Sequence, residues 1–171
     1  MKKILIVGCG NIGGRHLQSL LDFKNISLDI TVVEPNEITL NNAKSIFSTT
    51  NDSHHNLTWV SDILDLTESY DFTIVATQAT NRIQLVNQLL AKGSSRFLIE
   101  KMVCQSISEY NFFLECFKKY DAKGWVNTNF RYFSFFQKLI KYFSKNTPLK
   151  FVIVGGDKGL GSNAIHFLDL F

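Results

Sequence analysis

MKKILIVGCGNIGGRHL, residues 1–17, is the stretch that decides the fold. It opens with the apolar run Ile4–Val7, which is typical of a buried strand. The run leads directly into a glycine-rich turn and then into apolar residues at helical spacing, so it predicts a strand, a turn and a helix. Backbone N–H groups of such a turn and helix N-terminus can hold a pyrophosphate, although glycines at this spacing also occur in ordinary turns. The turn residues concerned are Gly8, Gly10, Asn11, Ile12 and Gly13.

A carboxylate follows at the position that a dinucleotide would need. A second apolar run, Ile30–Val33, ends in Glu34, twenty-one residues past Gly13. A carboxylate at the end of the second strand can accept hydrogen bonds from the 2′- and 3′-hydroxyls of an adenosine ribose, and it repels a 2′-phosphate. The pattern therefore favours NAD as the cofactor over NADP. The alternative is a plain turn at Pro35-Asn36 with Glu34 solvated.

Strand-like and helix-like segments alternate along most of the chain. This alternation predicts an α/β fold, a doubly wound parallel sheet of the Rossmann type with helices on both faces. The predicted strands are Ile4–Val7, Asp29–Val33, Leu57–Val60, Phe72–Ala76, Phe97–Ile99 and Trp125–Asn127. The predicted helices are Ile12–Leu21, Glu37–Phe47, Arg82–Lys92 and one that begins at the capping-box sequence Ser106-Ile107-Ser108-Glu109.

The sequence pattern of the remaining residues does not predict a complete domain. For residues 129–171 it predicts one helix, Tyr132–Phe143, one strand, Phe151–Val154, and a final apolar segment, Ala164–Phe171. One strand and two helices cannot bury these surfaces alone. We therefore expect a cofactor-binding domain at 1–128 and the truncated start of an α/β substrate domain at 129–171. Either the chain is a fragment of a longer protein or another chain covers these surfaces, and a homo-oligomer is expected.

Composition excludes several classes of protein. The net charge is +3, from 18 basic and 15 acidic residues, with no concentrated basic block, which argues against a nucleic-acid partner. No apolar run approaches the roughly 20 residues of a membrane span, so no membrane partner is expected. The three cysteines lack C-x-x-C spacing and indicate reduced, packing residues in a cytoplasmic protein. His54-His55 lies in a polar stretch and is interpreted as a loop, so no metal site is predicted.

Polar residues that follow two further strands are candidates for chemistry, because ligands sit at the carboxyl ends of strands in open α/β sheets. Thr77 and Arg82 follow the fourth predicted strand, where polar residues can line the nicotinamide ribose or simply cap the next helix. Glu100 and Lys101 follow the fifth, where a charged pair is costly unless it is used or paired. A lysine there can polarise a substrate oxygen or relay a proton. The alternative is a surface salt bridge.

Four stretches, in matching order, resemble the glucose–fructose oxidoreductase, inositol dehydrogenase and MocA group of dehydrogenases. The glycine turn continues into Gly14-Arg15-His16, and Glu100-Lys101-Met102 is similar to the Glu-Lys-Pro of the family. Asn129-Phe130-Arg131 is similar to its Asn-x-Arg. The segment 162–169, SNAIHFLD, is similar to its Asp-x-x-x-His-x-x-Asp. The resemblance covers essentially the whole chain.

The resemblance implies an NAD-dependent oxidoreductase acting on a secondary hydroxyl of a sugar, nucleotide-sugar or cyclitol. It implies that Lys101 is the catalytic lysine near nicotinamide and substrate, and that His166 is the general acid/base for the hydroxyl proton. An imidazole suits that step because its pKa lies near working pH. The residues implied to bind substrate are Lys101, Arg131, Ser162 and Asn163. Those implied to bind cofactor are Gly8, Gly10, Asn11, Ile12, Gly13, Glu34, Thr77, Arg82 and Glu100.

Some positions depart from the family pattern. Ser162 stands where the family has Asp, and a serine cannot supply that carboxylate. Met102 replaces the usual Pro, and Arg82 stands where the family often has His. Two alternatives to a working dehydrogenase therefore stay open: a non-catalytic dinucleotide-binding module and an inactive truncated dehydrogenase.

Overall fold

The apolar run at the start of the chain forms the central strand β1, Lys2–Val7, in the computed structural model. The structure describes residues 1–48, 54–143, 148, 150–154, 156 and 159–170. The chain divides into two compact units, Met1–Val126 and Asn127–Phe171. In chain order, the further elements of the first unit are α1 Asn11–Leu21, β2 Leu28–Val33, α2 Glu37–Phe47, β3 Asn56–Val60, β4 Phe72–Val75, α3 Arg82–Ala91, β5 Arg96–Ile99, α4 Ile107–Lys119 and β6 Lys123–Val126.

Within the described part of the first unit, the strands form one parallel sheet in the order β3-β2-β1-β4-β5-β6. Val7 of β1 pairs with Val33 of β2 and with Val75 of β4, and Val75 pairs in turn with Ile99 of β5. The carboxyl ends of these strands therefore lie level at one edge of the sheet. The strand order reverses between β1 and β4, which is where open α/β sheets bind ligands. The predicted Rossmann-type sheet is confirmed.

Both faces of the central strands β1, β2 and β4 are buried, as their continuous apolar runs predict, whereas the edge strand β6 is exposed. Side chains of β1 alternate between the faces, so that Leu5 and Val7 join one core cluster and Ile4 and Ile6 join the other. The first cluster packs under α3 and α4 around Phe97 and its tilted neighbour Phe117, whose ring centroids lie 5.4 Å apart. The second packs beneath α1 and α2.

The second unit departs from the predicted elements. A 3-10 turn covers Asn129–Tyr132, and helix α5 then covers only Ser134–Ile140, because the extended backbone of Phe133 separates the two. Helix α6 spans Leu160–Leu168. The predicted strand Phe151–Val154 is wrong, because these residues form no strand and their side chains are exposed.

In the described part of the chain, no helix combines the length and the apolar character that crossing a membrane requires.

Candidate functional site

The turn between β1 and α1 requires glycine at two positions. Gly8 has a φ of +88°, and a Cβ there would lie 3.1 Å from the backbone of Ala76. A Cβ on Gly13 would lie 1.9 Å from the carbonyl oxygen of Gly8, which no side chain can tolerate. Helix α1 therefore sits directly against the turn, and β1 and β4 are held close behind it.

The N-terminus of α1 faces open space, and its first backbone N–H groups lie outside the intrahelical hydrogen bonds. The first intrahelical bond runs from the N–H of Gly14 to the carbonyl of Gly10, at 2.8 Å, so the N–H groups of Asn11, Ile12 and Gly13 precede it. Within the described part of the chain no side-chain hydrogen bond caps this end, and a Cβ on Gly10 would meet nothing within 4 Å. Backbone donors and the positive end of the helix dipole facing open space suit a phosphate group.

Glu34 lies beside the same turn and is not solvated. Glu34 is only 8% exposed to solvent. One carboxylate oxygen accepts from the N–H of Cys9 at 2.7 Å, and the other accepts from the N–H of Asn36 at 3.0 Å. The carboxylate thus joins the turn after β1 to the turn after β2. Each oxygen retains acceptor capacity, since a carboxylate offers about four lone-pair sites.

Cys9, inside the glycine turn, is a packing residue. It is 4% exposed, and burial, with the Glu34 carboxylate as the smaller cause, raises the pKa of its thiol to about 11. The thiol therefore stays protonated at neutral pH and is a poor nucleophile.

An open cleft of about 510 Å³ borders the turn between α1 and α2. Its volume is in the range of small-molecule sites. The polar residues in its lining include Asn11, Arg15, Thr39 and Asn42, and Phe47 supplies apolar surface.

The loop after β4 brings Thr77 against the glycine turn. The Thr77 methyl would be 3.2 Å from a Cβ on Gly8, and its buried hydroxyl oxygen has no hydrogen-bond partner among the described residues. Buried hydroxyls are normally paired, so an unpaired one beside the turn is consistent with a ligand group there. The residues of the turn, Glu34 and Thr77 therefore fit a dinucleotide.

Arg82, the first residue of α3, points into the protein. It is 2% exposed. One terminal nitrogen donates to the carbonyls of Glu100 and Met102, and the other donates to the carbonyl of Thr77. Burial lowers the pKa of Arg82, while the Glu100 carboxylate opposes that shift. The sequence predicts that Arg82 contacts the cofactor. In the structure the terminal nitrogens of Arg82 instead donate to backbone carbonyls.

Glu100 is the partner of a histidine that the sequence reasoning left out of the site. Glu100 is 7% exposed, and its carboxylate lies 2.8 Å from Nε2 of His16 on α1. His16 forms part of the glycine motif, eight residues past Gly8, and that position was the only signal for it. Lys101 follows at the same edge, half-buried, and its peptide bond to Met102 is cis. The carboxylate of Glu100 therefore lies in the interior and not at the surface.

The remaining predicted residues belong to the second unit. Arg131 donates to the carboxylate and to the carbonyl of Asp169, a residue that was not predicted to be in the site. The hydrogen bond from Arg131 to the carboxylate lowers the pKa of Asp169. His166 is 6% exposed, and its ring stacks on Phe130 with centroids 4.6 Å apart. Asn163 is half-buried on α6. Ser162 lies in α6, but its side chain is outside the described residues.

The described residues contain no group of three or more His, Cys, Asp or Glu side chains that could hold a metal ion. In the first unit, the structure thus brings Gly8–Gly13, Glu34, Thr77, Glu100 and Lys101 to one edge of the sheet, around the strand-order reversal.

Comparison with solved structures shows the same fold in dehydrogenases of low sequence identity. An oxidoreductase from Agrobacterium radiobacter, solved with NAD+, L-tartaric acid and magnesium, aligns with a TM-score of 0.69 at 19% identity, over 82% of this chain and 39% of that one. The WlbA dehydrogenase from Bordetella pertussis, solved with NADH and UDP-GlcNAcA, aligns with a TM-score of 0.67 at 15% identity, over 83% and 41%.

A third structure is scyllo-inositol dehydrogenase from Lactobacillus casei, with bound NAD(H) and scyllo-inositol. It aligns with a TM-score of 0.63 at 14% identity, over 82% of this chain and 40% of that one. The chain thus spans about two fifths of the length of these proteins. A search of curated proteins gave no match. The model of the GFO_IDH_MocA family, described as an oxidoreductase family with an NAD-binding Rossmann fold, matches residues 2–128. The chain has a glycine turn, a carboxylate after its second strand and a six-stranded parallel sheet, and it belongs to this oxidoreductase family.

Proposed function

We propose that the first unit binds NAD at the carboxyl edge of its sheet. The pyrophosphate lies on the N–H groups at the start of α1, and the adenosine ribose lies on Glu34. The observation that carries the proposal is the buried carboxylate of Glu34, 2.7 Å from the N–H of Cys9 and next to an uncapped helix N-terminus. Gly8, Gly10, Asn11, Ile12 and Gly13 form the turn, and Thr77 adds a hydroxyl beside it.

Glu34 favours NAD over NADP for an electrostatic reason. A 2′-phosphate would bring negative charge against a carboxylate that is already shielded from water, where charge repulsion is stronger than in bulk solvent. The hydroxyls of an unphosphorylated ribose can instead donate to the carboxylate.

The reaction we propose is hydride transfer between a nicotinamide and a secondary hydroxyl of a sugar, nucleotide-sugar or cyclitol, by the whole protein. NAD supplies the hydride acceptor or donor when it is bound. Lys101 polarises the substrate oxygen, and the imidazole of His166 takes the hydroxyl proton. Arg131, Ser162 and Asn163 contact the substrate. This substrate class is supported by relatives solved with UDP-GlcNAcA or scyllo-inositol.

We further propose that residues 129–171 begin a substrate domain, that the protein is cytoplasmic and that it forms a homo-oligomer. Exposed aromatic and aliphatic side chains of the second unit support the substrate domain and the homo-oligomer, since large apolar surface is usually covered. Among them Tyr132, Phe135, Tyr142, Val152 and Val154 are each more than half exposed.

A second function, dinucleotide binding without turnover, is favoured by two residues of the second unit. Ser162 replaces a carboxylate of the family pattern, and His166 is 6% exposed and stacked on Phe130. Turnover of any inositol, hexose or UDP-sugar that is lost in both Lys101→Ala and His166→Ala, with cofactor binding retained, would exclude this second function.

Calorimetric titration with NAD and NADP tests the cofactor proposal. We expect NAD to bind at least about tenfold more tightly than NADP, a difference of roughly 1.4 kcal/mol. Glu34→Gln should remove most of this preference, because the side chain keeps its size and loses its charge. Glu37→Gln, at an exposed acid in the first turn of α2, is the matched control and should keep it. Equal affinity of the unaltered protein for both dinucleotides, or no binding by a folded chain, would contradict the proposal.

A further inference from the structure

The backbone on both sides of Lys101 is held by one buried guanidinium. Arg82 donates through a single terminal nitrogen to the carbonyls of Glu100 and Met102, the two residues that flank Lys101. The N–H of Glu100 is also bound, to the carbonyl of Val75 at 3.0 Å. Lys101 therefore lies between anchored peptide groups, although the loop after β5 carries no secondary structure of its own until α4 begins.

The same guanidinium ties this loop to its neighbour across the sheet. Its second terminal nitrogen donates to the carbonyl of Thr77, in the loop after β4 that lies against the glycine turn. The carboxylate of Glu100 reaches in the other direction, to His16 on α1 at 2.8 Å. The segment that carries Lys101 is thus connected to both elements that we propose to bind the cofactor.

The chemistry of Arg82 matches this task better than that of other cations. A guanidinium is planar and presents its donors in a rigid fork, so one side chain can bind several carbonyls at once. A buried charge is costly unless it is hydrogen-bonded, and at 2% exposure Arg82 is compensated by three carbonyls and the nearby Glu100 carboxylate. A lysine ammonium is a point charge on a flexible stem and lacks the rigid fork of donors that binds these three carbonyls here.

We propose that Arg82 is a positioning residue that fixes Lys101 with respect to the nicotinamide end of the cofactor site, acting through the backbone of Glu100 and Met102. This rests on the proposed function, in which Lys101 lies next to nicotinamide and substrate. The sequence position of Arg82 suggests a cofactor contact. In this proposal Arg82 instead sets the position of Lys101, the proposed catalytic lysine.

The test compares Arg82→Met and Arg82→Lys with Arg96→Met, which removes an exposed arginine at the start of β5. Two readouts need no cofactor: amide hydrogen exchange in the segment 100–104 and the rate at which Lys101 is acetylated, followed by mass spectrometry. We expect Arg82→Met to raise exchange there by about tenfold or more, and acetylation of Lys101 several-fold, with β1 little changed, because the opening is local. Arg96→Met should leave both rates unchanged.

The third readout is NADH fluorescence, which separates affinity from nicotinamide environment. We expect Arg82→Met to keep its affinity for NADH within about threefold, since the glycine turn and Glu34 are untouched, but to lose most of the change in nicotinamide emission on binding. If Arg82→Met does not fold, Arg82→Lys carries the test, and it should restore only part of the unaltered behaviour.

Three outcomes would overturn the proposal: equal acceleration of exchange in β1 and in 100–104, unchanged acetylation of Lys101, or full restoration by lysine at position 82. Failure of the cofactor proposal gives a different result. The unaltered protein would then bind no NADH, while the exchange and acetylation rates would still report whether Arg82 holds the loop.

Discussion

Gly13 and Gly10, in one glycine motif, differ in whether they serve folding or binding. Gly13 has its hypothetical Cβ 1.9 Å from the carbonyl oxygen of Gly8, whereas Gly10 has open space above it. The two residues lie in one turn and one motif, so sequence spacing alone gives them the same importance. Their surroundings distinguish them. Gly13 lets α1 pack against the turn, whereas Gly10 leaves room for the proposed pyrophosphate.

Alanine at each position should therefore have a different effect. We expect Gly13→Ala to lower the free energy of unfolding by about 3 kcal/mol or more, because backbone atoms must move to admit the methyl group. Gly10→Ala should change stability by less than about 1 kcal/mol, since its φ of −68° suits alanine, but should weaken NAD binding. Urea denaturation and calorimetric titration measure the two effects. Comparable destabilisation by both substitutions would contradict this assignment.

Individual residues of the site also differ in whether the sequence predicts their contacts. The position of Glu34 after β2 was sufficient to predict a carboxylate at the turn, because strand periodicity and the register of parallel strands determine it. The pairing of His16 with Glu100 was not predictable, because it joins residues 84 apart in sequence through the packing of α1 against the sheet. The inward direction of Arg82 was hidden for the same reason, since its partners are backbone carbonyls, which every residue has.

At the scale of elements, local signals were reliable where tertiary structure agrees with them. The capping sequence at Ser106 predicts the start of α4, and the Ser106 hydroxyl does accept from the N–H of Glu109, at 3.2 Å. Continuous apolar runs predict β1, β2, β4 and β5 because strands buried on both faces need no alternation. The predicted strand Phe151–Val154 has the same composition, but β-propensity alone supplies no partner strand.

The helix predicted over Tyr132–Phe143 shows a second limit. Its apolar spacing is helical, yet the extended backbone at Phe133 divides it into a 3-10 turn and a short helix. Phe130, before the break, stacks against both Phe136 and His166, with centroids 5.4 Å and 4.6 Å away. Aromatic contacts of this kind depend on α6, far along the chain, and no local pattern reveals them.

At the scale of the whole molecule, the two units differ in the size of the hydrophobic core that each one buries. Every residue of the two large buried clusters lies within the first unit, whose central strands are covered on both faces. The second unit is held by a small aromatic group around Phe130 and by the Arg131–Asp169 pair. The family match over residues 2–128 follows the same division.

The fragment Met1–Thr128 should accordingly fold and bind cofactor without the rest of the chain. We expect cooperative urea unfolding and an affinity for NAD within about threefold of that of the 171-residue chain, because the proposed cofactor contacts lie in the first unit. Circular dichroism and the same titration check both. A fragment that is folded but has lost NAD binding would show that residues after 128 contribute to the cofactor site.

The double anchoring of Glu34 has a consequence for the thermodynamics of binding. Its carboxylate is already held by the N–H groups of Cys9 and Asn36 before any ribose arrives. Ordering a free, rotamer-rich side chain on binding costs about 0.5–1.5 kcal/mol. The Glu34 side chain is already ordered by folding, so ligand binding does not carry this entropic cost. The proposed preference for an unphosphorylated ribose would therefore rest on a carboxylate that folding has already fixed, rather than on one that is ordered by its ligand.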